Sequence, residues 1–134
     1  HELVHTLGFV SYVDAPGSNT GKIWTPYDRY LMTADASPVI GADYAWIPAY
    51  DPTLTGGDGG LFFGGPNAVA AHSSLVPVFT YSRWVPGSSV SHLTEGLMVP
   101  WLEPGPQTRE LGPVELGILA DIGYQVAPES GSAA

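Results

Sequence analysis

The chain has 134 residues, enough for one compact core, with 44% hydrophobic and only 13% charged residues. Its net charge is -9 and its four permanent cations, Lys22, Arg29, Arg83 and Arg109, are scattered, which excludes a phosphate-neutralising nucleic-acid surface and a polybasic membrane patch. Gly 17 and Pro 13 exclude long helices and coiled coils; no apolar run reaches the roughly 18 residues of a membrane span, and the lack of cysteine excludes disulfides and thiolate metal sites.

In chain order, residues 1–7 predict a short helix with Leu3, Val4 and Leu7 on its apolar stripe, stopped by Gly8 in the left-handed conformation. Residues 9–13 form a brief apolar segment, and 14–21 (DAPGSNTG) a turn-rich loop. A strand is expected around 27–31, then irregular chain over 35–60 ending in GGDGG. Residues 61–63 are a short apolar run, 66–72 (PNAVAAH) a short helix with Pro66 in its first turn, and 76–81 a strand. Residues 84–100 read as loop. The clearest helix is 111–123, with Leu111, Val114, Ile118, Leu119 and Ile122 on one face and Gly123 as its stop. Residues 127–134 (APESGSAA) form a flexible tail or linker.

The chemistry lies in His1-Glu2-Leu3-Val4-His5, an H-E-x-x-H pattern. Residues four apart share a helix face, so both imidazoles can point at one Zn²⁺. A metal ion there lowers the pKa of a water towards neutrality, and Glu2, beside the first ligand, can take that water's proton. The longer pattern H-E-x-x-H-x-x-G-x-x-H is met at Gly8 but has Ser11 where its last histidine stands, and a hydroxyl is a poor zinc ligand. A third ligand must come from elsewhere. His72 and His92 are the remaining imidazoles, and Asp14, Asp28 and Glu95 are weaker candidates. His72 reads more simply as a flank of the PNAVAAH helix.

Three blocks in this order resemble the leishmanolysin-like metzincins and their secreted bacterial relatives: HELVHTLGF (9 residues from His1), SVSHLTEGLMVP (from Ser89) and LGPVELGILADIGY (from Leu111). GGLFFGGPNAVAA (from Gly59) is also similar to stretches of the bacterial relatives, and the region between Ser11 and Asp58 matches least. The resemblance implies a zinc-dependent endopeptidase acting on proteins or peptides outside the cell or at its surface. It implies zinc held by His1, His5 and His92, with Glu2 as general base and Met98 in the methionine turn below the ligands. It further implies an α+β, metzincin-like fold in which residues 1–126 are the C-terminal part of a zincin catalytic domain, loop-rich, with an active-site helix and a C-terminal helix. The sheet upstream of the zinc helix is expected to be missing, since the chain opens inside the motif, and such a piece is expected to be inactive or weakly folded. Two other readings compete: a zinc-bearing binding or adhesion module without protease activity, and a different zinc hydrolase using Glu95 or Glu115 as third ligand. A general base at Glu2 speaks against the first.

Overall fold

The computed structural model describes residues 4–5, 7–86, 88–94, 98 and 112–124. It is an α+β fold built on a three-stranded antiparallel sheet, as the sequence predicts for its class. The apolar run Leu61–Phe63 forms the central strand β2. It pairs with β1 (Leu31–Thr33), Leu31 opposite Phe63, and with β3 (Val76–Pro77), Val76 again opposite Phe63. Alternation buries Leu31, Thr33, Leu61 and Phe63 on one face of β1 and β2. From Phe63 an aromatic stack runs through Tyr27 to Phe9, with ring centroids 5.1 Å apart at each step. This stack joins the sheet to the segment that leaves His5.

Two helices pack against one another: α1 (Pro66–His72) and α2 (Pro113–Asp121). Gly65, the N-cap of α1, has no side chain to offer, so Asp121 at the end of α2 supplies the cap. Its carboxylate accepts from Asn67 N at 2.9 Å and Ala68 N at 3.0 Å. The two helices approach closely at Gly117. A Cβ added there would lie 2.8 Å from Ala68 Cα and from Asn67 O, both backbone atoms that cannot move aside. Gly117→Ala is therefore expected to lower stability by about 1–3 kcal/mol. A urea-unfolding midpoint equal to that of the wild type would contradict the packing described.

The sequence expectations need correction in places. The strand expected over 27–31 is a 3₁₀ turn, Asp28–Tyr30, with strand geometry starting only at Leu31. Thr25 and Asp28 close this turn reciprocally: Thr25 N donates to Asp28 Oδ2 and Asp28 N to Thr25 Oγ1, each at 3.1 Å. Of the strand expected over 76–81, only Val76–Pro77 is a strand, and Val78 makes a single bridge to Leu93. The stretch over 35–60 contains 3₁₀ segments, Pro48–Thr55 and Gly57–Gly59. The clearest helix begins at Pro113, whose fixed φ suits a first helical position. Leu111 and the tail over 127–134 lie outside the described residues. Among the described residues no helix is long and apolar enough to cross a membrane.

Candidate metal centre

The site begins at the helical turn over residues 4–5. As the sequence predicts, Gly8 ends it with φ +109°, a conformation that costs a residue without Cβ little. Gly8 N donates to His5 O at 3.0 Å and Phe9 N to Val4 O at 3.3 Å, the paired bonds of a Schellman stop. Val4 and Phe9 are both buried, so the stop is also packed. The reversal turns Phe9 O back onto His5, where it accepts from Nδ1 at 2.6 Å.

His92 arrives from the other direction, on the loop after β3. Phe79 N donates to His92 O at 2.7 Å, Val90 N to Phe79 O at 2.8 Å, and the buried Tyr27 hydroxyl to Val90 O at 2.8 Å. Val90 is held at φ +69°, an unfavourable conformation for a β-branched residue, and these bonds over-determine it. His92 is 6% exposed, and its Nδ1 lies 2.9 Å from Ser88 O.

The two rings meet. Their centroids are 4.7 Å apart at an interplanar angle of 77°, and His5 Nε2 lies 3.2 Å from His92 Nε2. Each Nδ1 faces a backbone carbonyl, which can only accept, so each neutral ring carries its proton on Nδ1 and its lone pair on Nε2. In that tautomer both Nε2 atoms offer a lone pair, and one cation could take both. Two nitrogens on a tetrahedral zinc with Zn–N bonds of about 2.0–2.1 Å stand about 3.3–3.4 Å apart. The donor set and its spacing thus fit Zn²⁺. His1 and Glu2 lie outside the described residues, and among the described residues no group of three metal-ligating side chains gathers.

Ser11, at the position where the longer motif has a histidine, joins the two halves of the site. Its N–H donates to Ser91 Oγ at 3.0 Å, next to His92, and its hydroxyl donates to Asp28. Asp28 also accepts from Tyr12 N at 2.9 Å and from Thr25 N, so its carboxylate is committed to the loop and is not open to a metal. Burial pushes the Asp28 carboxyl above the usual carboxylate range, against the opposing pull of hydrogen bonds from Ser11, Tyr12 and Thr25. A pKa higher in the folded than in the unfolded chain gives stability that is complete below the unfolded pKa and is lost as pH rises through the folded one. Asp28→Asn is accordingly expected to flatten the fall in stability from acid towards neutral pH. Melting temperatures taken across that range for both proteins check this, and parallel curves would contradict it.

The other candidate ligands are also accounted for. Asp14 is exposed and bonds Ala15 N. His72 ends α1, as expected, with Nδ1 3.1 Å from Ser74 Oγ. Glu95 lies outside the described residues. Glu115 is buried, and its two oxygens accept from Met98 N at 2.7 Å and Gly112 N at 3.0 Å, which leaves it employed as a backbone acceptor. Met98 is fully buried, as expected, and its carbonyl accepts from Leu93 N at 2.7 Å. Comparison of the chain with protein-family models, curated proteins and solved structures finds no match in any of the three.

His5 lines a pocket of about 310 Å³ together with Val10, Ser11, Val13, Trp84 and Ser91. Sequence reasoning missed Ser11, Ser91 and Glu115 as supports of the site. The departure of Ser11 from the longer histidine pattern was the one signal that pointed to any of them.

Proposed function

We propose that this chain carries the catalytic zinc site of a metzincin-like metalloendopeptidase, with His1, His5 and His92 as ligands and Glu2 as general base. The observation that carries the reading is the His5 Nε2 to His92 Nε2 distance of 3.2 Å, reached between residues 87 positions apart that only the H-E-x-x-H reading and its downstream histidine bring into one argument. Zinc, when bound, supplies a Lewis acid that polarises a peptide carbonyl and acidifies the attacking water. Phe9 O and Ser88 O hold the two imidazoles with Nε2 forward, the tautomer that binding requires. Glu2 takes the proton of the attacking water and delivers it to the leaving amine nitrogen. Val10, Val13 and Trp84 offer an apolar wall beside His5 for a substrate side chain.

Metal removal tests the reading. In a preparation that cleaves casein or a peptide library, cleavage is expected to stop with 1,10-phenanthroline and to return when zinc is added back. Cleavage indifferent to the chelator contradicts the proposal. Stoichiometric zinc with no cleavage across the library leaves a zinc-bearing binding module as the better reading.

A further inference from the structure

We infer that Glu115 is a positioning residue which couples helix α2 to the imidazole of His92, an inference that rests on the proposed metal site. Glu115 is 3% exposed, and a carboxylate that deeply buried is costly unless its oxygens are satisfied. Both are, by backbone amides from two different segments: Gly112 N at the start of α2 and Met98 N. The first bond is local and closes the N-terminal turn of the helix, where a negative charge also meets the positive end of the helix dipole. The second is long-range. It fixes Met98, whose carbonyl in turn accepts from Leu93 N, the residue directly after His92. Met98 itself is buried in the core, so its position is held by side-chain packing and by both of its backbone polar groups. On the far side, Phe79 N holds His92 O. His92 is therefore held between the β3 exit and a relay of hydrogen bonds ending on Glu115.

The chemistry of the relay demands a carboxylate with this reach. A carboxamide has one acceptor and places an NH₂ group against one of the two amide donors. An aspartate falls one methylene short of spanning them. Loosening the relay moves His92 Nε2 relative to His5 Nε2 without removing a ligand. The cost belongs to the class of supporting-group losses that lower metal affinity by roughly 10–100-fold.

The test compares Glu115→Gln with Asp121→Asn, which disturbs the other end of α2 at the cap of α1. Zinc affinity is measured by competition with a chromophoric chelator, and the His92 ring resonances are recorded in the zinc-free chain. Glu115→Gln is expected to weaken zinc at least about tenfold and to shift the His92 ring signals. Asp121→Asn is expected to lower the melting temperature while leaving both readouts as in the wild type. Should Glu115→Gln fail to fold, Glu115→Asp takes its place with the same expectation. Equal zinc affinity and equal His92 signals in the Glu115 and Asp121 variants overturn the inference and leave Glu115 a structural cap. A wild-type chain that binds no zinc overturns the proposed function instead, and the His92 signals alone then decide the coupling.

Discussion

Glu2→Gln is expected to lower peptide hydrolysis by about 10²–10⁴-fold, the usual contribution of a general acid–base group, while zinc stays bound. The substitution keeps size and hydrogen-bonding shape and removes only the basicity. One residue serves two proton transfers in the proposed mechanism, so the loss should fall towards the upper end of that range and should appear in kcat. Zinc is expected to stay because, in the proposed site, Glu2 is adjacent to a ligand and is not one. The measurement is metal content of the purified variant beside a casein or peptide assay, in a protein preparation whose wild type cleaves. Unchanged cleavage removes Glu2 as the base. Cleavage and zinc lost together assign it a structural role.

His92→Ala is expected to have the second large effect, a fall in zinc affinity of more than about 100-fold, beyond what loss of a supporting group costs. The variant leaves a space next to His5 Nε2, where the second imidazole stood 3.2 Å away. The site would then have one described imidazole and, among the described residues, no replacement from Asp28, which is committed to Ser11, Tyr12 and Thr25, or from His72, which bonds Ser74. Zinc titration by calorimetry reads the effect. Wild-type affinity in His92→Ala would show that another group is the third ligand and would revive Glu95 as the candidate. The same variant should lose hydrolysis in parallel with zinc, because both follow from one geometry.

Much of this site is written in local sequence. The helix stop at Gly8 follows from a short-range rule, a Gly after an apolar helical turn, whereas Met98 was singled out only through the resemblance of its block. The pairing of His5 with His92 is a different kind of information. No spacing rule joins residues 87 apart, and only the order of the motif blocks suggested it. Of the supports of this pairing, Ser11 was visible only as a departure from the longer histidine pattern and Glu115 only as an alternative ligand. Ser91 and Glu115 accept from backbone amides of distant segments, Ser11 N and Met98 N, and no local pattern marks that role before the chain is folded. The strand expected over 27–31 failed for a similar reason. Tyr27, Tyr30 and Leu31 have strand propensity, but the reciprocal bonds between Thr25 and Asp28 hold a turn that starts ahead of them. At Gly117 the sequence showed only a weak helix former, whereas the fold shows the contact that requires it.

X-ray absorption at the zinc edge of the loaded protein, wild type and His92→Ala, reads whether His5 and His92 share one zinc ion. Imidazole nitrogens at about 2.0–2.1 Å are expected in the wild type and one fewer in the variant. The same number of imidazoles in both proteins would contradict it.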